Sequence, residues 1–243
     1  MTKKLLAAAA ISLSLTACRG MDIAGMIGAA GTLASAASID DGEIRALGVR
    51  TQQKLDGENK VASASSPYTK RLNRITRNLK SDSGHQLNYK VYVTPEINAF
   101  ALPNGGIRVY SGLMDKMTDD ELLYVIGHEV GHVVHGHSKQ QARTQLLSSA
   151  ALQAVASSGS PVAALSSGAI GQLGHQLINA QYSQAHEYEA DAYGLKVLKA
   201  HGKGKEPAVS ALRKLAALGG NNSSIFASHP NPSARADRMD KSN

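Results

Sequence analysis

The residues best suited to chemistry lie in one short stretch, His128-Glu129-Val130-Gly131-His132, an H-E-x-x-H motif. On an α-helix, side chains four residues apart lie on the same face, one turn above the other. Two imidazoles at that spacing can bind one metal ion, and Glu129 can reach a water held by that metal. The motif predicts metal-assisted hydrolysis. The alternative is a core helix in which the two histidines bind no metal and only make hydrogen bonds.

The residues around the motif predict the helix that it needs. Thr118 and Glu121 have capping-box spacing, with Thr118 as the N-cap, and the acidic first turn complements the helix dipole. Apolar residues recur from there to residue 134, and Gly136 is expected to end the helix. Gly127 and Gly131 each lower helix propensity by about 1 kcal/mol relative to alanine. That cost is understandable where another backbone or a ligand approaches closely.

A catalytic zinc site usually has three protein ligands, and a second long helix predicted from about residue 177 supplies carboxylates. Glu187 and Asp191 lie four residues apart and share a face. Glu187 is therefore expected to bind the metal, and Asp191 to hydrogen-bond the outer nitrogen of a ligand histidine, expected to be His128. His186 is one residue off that face and is the alternative ligand. Glu189 points elsewhere and is expected to be a solvated charge.

A small sheet is predicted immediately before the motif helix. Residues 87–93, 98–102 and 107–110 have strand character, and turn residues separate the last two runs. In zinc peptidases such a sheet commonly offers an edge on which substrate lies as an added strand. Asn98, Ala99 and Phe100 are therefore the candidate substrate-binding residues. The alternative is that these strands only pack under the helices.

The remaining elements are predicted as helices at 40–56, 67–79, 140–159 and 207–218, with a last helix after Asn231 as N-cap and Pro232 at its first position. The glycine- and serine-diluted stretch at 140–175 is interpreted as a helical hairpin over the site. The chain has 243 residues, 42% of them hydrophobic, enough for one globular domain with a substantial core. The net charge is +7, but the basic residues are scattered, which argues against a nucleic-acid partner.

The N-terminus resembles a bacterial lipoprotein signal: Lys3-Lys4, an apolar run, and then Leu15-Thr16-Ala17-Cys18. In such signals the peptide is cut before the cysteine, which is acylated. Cys18 is therefore predicted as a lipid attachment site rather than a buried thiol, and several acyl chains give a stable membrane anchor. Arg19 in place of aspartate favours, by resemblance to sorting rules, the outer membrane facing the periplasm. The predicted organisation is a signal peptide at 1–17, a lipid-anchored tether and helix at 18–66, and a peptidase domain at 67–243.

Three features together resemble the HtpX/BepA/LoiP-type zinc metallopeptidases, which belong with the gluzincins: the H-E-x-x-H motif, the E-x-x-A-D segment at 187–191, and the downstream His229-Pro230. The stretch at 88–115 is similar to that family's N-A-F strand and G-L turn. The resemblance covers about 67–239 and, with the lipobox, points to the lipoprotein members of the type. It implies an α+β fold, a mostly helical zincin-like domain with a small mixed sheet ahead of the motif helix.

The resemblance also implies one Zn²⁺ per chain, held by His128, His132 and Glu187. Glu129 takes the role of general base, and Asp191 supports a ligand histidine from behind. Because the histidines must be neutral to bind metal, activity is expected to fall at acidic pH.

Other positions carry weaker implications. His229 matches a family position near the metal, where it either stabilises the transition-state oxyanion or blocks the metal, and its alternative is an ordinary loop histidine. Arg235 matches a family arginine of unassigned role. His135 and His137 are interpreted as structural residues beyond the ligands.

The function that the resemblance implies is a metalloendopeptidase of envelope protein quality control. Its substrates are expected to be unfolded or misassembled envelope proteins, and outer-membrane assembly machinery is a candidate partner. The rival hypothesis is a mainly non-catalytic, zinc-bound chaperone or adaptor for outer-membrane protein assembly. An intact Glu129 favours the enzyme, because a purely structural metal site has no use for a base there.

Overall fold

Helices and a small sheet follow one another along the residues that the computed structural model describes, 39–148, 162, 165–218 and 225–241. Cys18 and the signal-like segment lie outside the described residues. In chain order the elements are α1 (Asp41–Glu58), α2 (Pro67–Ile75), β1 (Ser81–Asp82), β2 (His85–Gln86), β3 (Asn88–Tyr92), β4 (Ala99–Ala101), β5 (Gly106–Tyr110), α3 (Ser111–Lys116), α4 (Asp119–Val134), α5 (His137–Ser148), α6 (Ser167–Asn179), α7 (Gln184–Ala200), α8 (Glu206–Leu218), α9 (Ile225–Ser228) and α10 (Pro232–Lys241). The predicted α+β class, mostly helical with a small mixed sheet ahead of the motif helix, is confirmed.

The three-stranded sheet has the order β3-β5-β4, with β5 parallel to β3 and antiparallel to β4. Strand β4 is therefore an edge strand, and it packs beside the motif helix α4. A separate two-stranded hairpin, β1-β2, turns at Ser83 and Gly84, whose φ angles are +48° and +80°. This is a tight hairpin, and glycine suits its left-handed backbone.

Helix α1 is fastened to the sheet by a buried ion pair. Arg108 on β5 is fully buried and donates two hydrogen bonds to the carboxylate of Asp56, of 2.8 Å and 2.9 Å. Lys90 and Tyr92 on β3 each donate a further bond of 2.8 Å to the same carboxylate. A buried arginine needs such a partner, so α1 belongs to the packed body of the molecule. The predicted boundary at 66/67 falls between α1 and α2.

Helices α5 and α6 pack on α1 and on each other. Their shared apolar cluster includes Ile44, Leu47, Leu146 and Leu173. Helix α5 begins at His137, three residues before the predicted start, and most of the segment between α5 and α6 lies outside the described residues. The described parts of α5 and α6 contact each other, and α6 also contacts α9 (Ile225–Ser228), so the interpretation of 140–175 as a hairpin over the site stays a prediction.

Helix α7 begins later than predicted. Ser183 is its N-cap and accepts a hydrogen bond from the backbone N–H of His186. Residues 177–179 belong instead to α6, and 180–183 connect the two helices. The last helix begins at Pro232 as predicted, but Asn231 has φ +56°, a left-handed conformation that asparagine tolerates. None of the helices within the described ranges combines the length and the apolarity needed to cross a bilayer.

Candidate metal centre

The motif helix α4 forms as its sequence predicts. The Thr118 hydroxyl accepts from the Glu121 backbone N–H at 3.3 Å, and the Glu121 carboxylate accepts from the Thr118 N–H at 2.7 Å, which completes the capping box. Two residues beyond the helix, Gly136 has φ +74° and turns the chain into α5. The helix is buried along nearly its whole length, so the side chains of its motif lie inside the protein.

Glycines let α4 and α7 cross closely. A Cβ atom on Gly131 would lie 2.9 Å from the Tyr193 Cβ and 3.0 Å from the Ala190 Cα, and one on Gly194 would lie 2.9 Å from the Tyr124 ring. Real Cβ atoms hardly ever approach so closely, so larger residues would force the helices apart. The close approach suspected from the two glycines of the motif helix is therefore the approach of α7 with its carboxylates.

Four buried side chains converge at this crossing: His128, His132, Glu187 and His229, with one ligand atom of each within 4.8 Å of the others. The Nε2 atoms of the two motif histidines lie 3.0 Å apart. The carboxylate of Glu187 lies 3.4 Å from His132 Nε2 and 3.6 Å from His128 Nε2. Helix α4 supplies two imidazoles and α7 one carboxylate, all directed at one point.

His229 arrives from a different part of the chain, directly after the short helix α9. Its Nδ1 lies 3.0 Å from Glu187 Oε1 and 3.3 Å from His128 Nε2. Its Nε2 lies 3.5 Å from Glu129 Oε1. The loop that carries it is tied down, because the Tyr182 backbone N–H donates to the Ser228 carbonyl at 3.0 Å. His229 thus lies among the candidate ligands and against Glu129, and is not an ordinary loop histidine.

The donor set fits a metal ion. Glu129 Oε2 and His229 Nε2 are buried without a hydrogen-bond partner among the described residues. Buried polar atoms in native proteins nearly always have partners, so two orphaned atoms beside converging imidazoles and a carboxylate indicate an additional group at this place. Imidazole nitrogens with one carboxylate oxygen are the ligands that zinc and similar transition metals prefer.

A charged pair contacts His128 on Nδ1, the ring nitrogen that faces away from the other candidate ligands. Asp191 Oδ1 lies 3.0 Å from His128 Nδ1, and the Tyr124 hydroxyl donates to the same oxygen at 2.7 Å. Arg235 from α10 donates from Nε to Asp191 Oδ2 at 2.9 Å and also forms an ion pair with Glu187. Arg235, for which the sequence offered only a family match, therefore joins Glu187 and Asp191 of α7 to α10.

A second set of residues contacts the outer nitrogen, Nδ1, and the ring face of His132. His132 Nδ1 lies 3.1 Å from the Nδ1 of buried His137, whose Nε2 lies 2.9 Å from Glu189 Oε2. The ring of Tyr182 stacks on His132, with 3.7 Å between centroids. His186, the alternative ligand, is not in the cluster and stacks on His137 at 4.1 Å.

Glu189 is exposed, as expected for a solvated charge, but these contacts show that it also binds His137. Sequence reasoning missed the contact between His132 and His137. The turn at Gly136 reverses the chain so that His137 faces α4, and no pattern in the sequence predicts that contact.

Burial and neighbouring charges shift the titration of these groups in opposite directions. Burial raises the pKa of Glu129, although His229 and His128 counteract part of it. Burial alone would also raise the pKa of Glu187, but His229, His128 and hydrogen bonds from the histidines hold it well below its usual range. Burial lowers the pKa of His132. The cluster thus contains an anionic Glu187, a neutral His132 and a carboxylate, Glu129, suited to taking up a proton.

The candidate substrate-binding residues lie on or beside β4. Asn98, Ala99 and Phe100 are all buried, and both polar atoms of the Asn98 amide lack a hydrogen-bond partner among the described residues. Asn98 O accepts from the Tyr110 N–H, and the Leu102 N–H donates to Gly106 O. Since hydrogen-bonded pairs alternate along antiparallel strands, the main-chain groups of Ala99 and Ala101 point away from β5, although both residues are buried.

Known proteins resemble this chain over nearly its whole length. The sequence profile of Peptidase family M48 matches residues 68–243. Metalloprotease LoiP of Escherichia coli (strain K12) is 40% identical over 239 residues, which cover 98% of this chain and 95% of the relative. Metalloprotease YcaL of the same organism is 38% identical over 243 residues, covering 98% and 96%. The human mitochondrial metalloendopeptidase OMA1 is 42% identical over 60 residues, 24% of this chain and 12% of the relative.

The motif helix, the crossing carboxylate helix and these relatives define the protein as a metallopeptidase. More particularly, the chain belongs to Peptidase family M48. The resemblance stated from the motifs alone is thereby confirmed.

Proposed function

We propose that this metallopeptidase uses one Zn²⁺, bound by His128, His132 and Glu187, to hydrolyse peptide bonds within unfolded proteins. The observation that carries the proposal is the convergence of these three buried side chains, from two helices that cross at glycines, beside the orphaned carboxylate oxygen of Glu129. Two histidines and one carboxylate form a common ligand set of catalytic zinc.

His128, His132 and Glu187 would hold the zinc ion, which would polarise the scissile carbonyl and lower the pKa of the attacking water. Glu129 takes the proton of that water on its free Oε2 and passes it to the leaving amine. Burial prepares Glu129 for this step, because it raises the pKa of the carboxyl. Asp191 and Arg235 hold His128 and Glu187 in place during the reaction.

The substrate is proposed to lie along β4 as an added strand. The side chains of Asn98, Ala99 and Phe100 are buried, so they are not the contact surface. An added strand would bond the main-chain groups of Ala99 and Ala101, which are not paired with β5, and hydrogen bonds to a backbone do not depend on sequence. Both residues are buried, so this edge must open before a strand can add to it. Such binding suits extended, unfolded chains of varied sequence.

The cellular setting is proposed from the N-terminal sequence. Cys18 carries lipid, and the anchored domain, 67–243, faces the periplasm from the outer membrane and cleaves unfolded or misassembled envelope proteins there. The support is the likeness of residues 1–18 to a lipoprotein signal. Replacing Cys18 with serine should release the protein from the membrane fraction and abolish incorporation of labelled palmitate. Retention of both in the serine variant would contradict the anchor.

Cleavage of casein tests the proposed reaction directly. The form that begins at Arg19 is compared with Glu129→Gln, and zinc is determined in both. We expect zinc in both proteins and cleavage by the wild type only, with a loss of at least about 100-fold in the variant, the lower range for general acid–base catalysis. Full activity of Glu129→Gln would eliminate the mechanism, and absence of metal from both would eliminate the ligand assignment.

One observation favours the alternative function of a zinc-bound chaperone or adaptor: His229 lies among the ligands, where it can close the site. If zinc is present in both proteins and neither cleaves casein, His229→Ala is the next variant. Cleavage that appears only in His229→Ala would mean a site closed by His229. If cleavage stays absent there as well, and Glu129→Gln retains function in cells, the non-catalytic role is favoured over the peptidase.

A further inference from the structure

The two ligand histidines are supported differently, and the support of His132 runs through a second histidine. From the candidate metal outward, His132 Nδ1 lies 3.1 Å from His137 Nδ1, and His137 Nε2 lies 2.9 Å from Glu189 Oε2. His137 is buried, whereas the Glu189 side chain is 56% exposed. The chain of contacts therefore leads from the metal centre to the protein surface.

Only one arrangement of protons satisfies every atom in this chain when both rings are neutral. Ionised Glu189 only accepts, so His137 must carry its proton on Nε2 and donate it to the carboxylate. His137 Nδ1 then has a lone pair and accepts from His132 Nδ1–H. His132 is left with its own lone pair on Nε2, the nitrogen that faces His128 Nε2 and Glu187.

The ring of His137 is held in this orientation by its neighbours. His186 stacks on it with 4.1 Å between centroids and 16° between planes, and His135 lies at 5.5 Å and 23°. The Ser138 hydroxyl donates to the His132 carbonyl at 3.2 Å, which fixes the turn that brings His137 back toward α4. The residues interpreted from the sequence as structural, or as an alternative ligand, thus surround one bonded imidazole.

We propose that His137 and Glu189 are positioning residues that set the tautomer and orientation of His132 for metal binding. This inference rests on the proposed metal site. A metal-bound histidine usually donates its outer N–H to a carboxylate or a carbonyl. Here the acceptor is an imidazole, and a surface carboxylate fixes the proton on its far side. His128, by contrast, has a buried carboxylate as its direct partner.

The test measures metal affinity in the full chain purified in detergent, made metal-free and titrated with Zn²⁺ against a chelator. His137→Leu removes both hydrogen bonds and keeps the volume. His137→Gln is the conservative variant, because its amide can accept from His132 and donate to Glu189. His186→Phe is the matched control, since it keeps a ring stacked on His137 and leaves intact the hydrogen-bond relay from His132 through His137 to Glu189.

We expect His137→Leu to bind Zn²⁺ about 10- to 100-fold more weakly, the usual effect of losing a partner behind a metal ligand. His137→Gln should recover most of that loss, Glu189→Ala should show a smaller loss, and His186→Phe should bind as the wild type does. The visible absorption of the Co²⁺-loaded protein should change in His137→Leu only, because those bands report the geometry of the ligands and not the stability of the fold.

Unchanged zinc affinity and an unchanged cobalt spectrum in folded His137→Leu would overturn the proposal. If that variant does not fold, imidazole ¹⁵N spectra of the zinc-loaded wild type decide. They must show protons on His132 Nδ1 and His137 Nε2, and a proton on His137 Nδ1 would be fatal to the relay. His132→Ala distinguishes failure of the proposed metal site from failure of the proposed support of His132. If His132→Ala binds Zn²⁺ normally, the assignment of the metal site is wrong. If His132→Ala loses Zn²⁺ binding but the His137 and Glu189 variants do not, only the role of His137 and Glu189 is wrong.

Discussion

Two arginine–aspartate pairs, each with a buried arginine, lie in different regions of this molecule. In one, Arg108 on β5 donates to Asp56 on α1, with a shortest distance of 2.8 Å. In the other, Arg235 on α10 donates from Nε to Asp191 on α7 at 2.9 Å. Both arginines are buried, and in both pairs two donor nitrogens of the guanidinium reach the carboxylate, which is the geometry that stabilises such a pair best.

The pairs differ in what else their carboxylates contact. Asp56 accepts further bonds from Lys90 and Tyr92, so all of its partners belong to the sheet and its effect is to fasten α1. Asp191 contacts His128 as well, and Arg235 extends to Glu187. The same type of ion pair thus anchors a helix to the sheet in one region and supports a metal centre in the other. A buried salt bridge alone does not mark a functional site; its additional partners do.

Replacing each aspartate with alanine gives the strongest test of whether the two pairs have different roles. Asp191→Ala and Asp56→Ala both leave a buried arginine without its partner, so each should lower the free energy of unfolding of the metal-free protein by about 3–5 kcal/mol. Only Asp191→Ala should also weaken Zn²⁺ binding, by about 10- to 100-fold, because only Asp191 supports a ligand histidine. Urea unfolding and chelator competition measure the two effects.

Equal loss of zinc affinity in both variants would mean that the metal centre senses global stability, and the distinction between the two pairs would fail. Normal zinc affinity in folded Asp191→Ala would remove Asp191 from the support of the metal.

A substitution with a smaller expected effect sharpens the comparison without replacing a residue of either pair. Gly131→Ala places a methyl group against Tyr193 and Ala190, so α7 must move away from α4. We expect a loss of stability of about 1–3 kcal/mol, as for other overpacked positions, together with weaker zinc binding, because Glu187 and Asp191 move with α7. The matched control is Gly57→Ala on α1, where a Cβ would meet nothing within 4 Å.

The control should be unchanged or up to about 1 kcal/mol more stable, because alanine is the better helix former. Thermal unfolding with and without Zn²⁺ measures both variants. A Gly131→Ala protein with wild-type stability and zinc affinity would show that the close crossing is not needed to place the carboxylates.

Much of the site could be predicted from spacing alone. His128 and His132 share a face because they are four apart on a helix whose capping box, Thr118 with Glu121, is complete within four residues. Glu187 and Asp191 follow the same rule on α7. The glycines of α4 correctly indicated a close neighbour. In each case the interaction is local, or its requirement for space appears in the residue itself.

Other features depend on contacts between distant parts of the chain. Arg108 in β5 has the pattern of an ordinary strand residue, and nothing near it in sequence shows that its partner is Asp56 on α1. The start of α7 was placed too early, because the helical pattern before Gln184 belongs to α6.

The sequence by itself determined the chemistry: a helix with two histidines and a base, and a second helix on which Glu187 and Asp191 share a face. Those follow from backbone hydrogen bonding and helical period, which act over a few residues. Only the tertiary structure decided that His229 lies against Glu187, that Arg235 joins Glu187 to Asp191, and that His137 links His132 to Glu189. These contacts join residues that are far apart in the chain or reversed by a turn, and packing alone brings them within hydrogen-bonding distance.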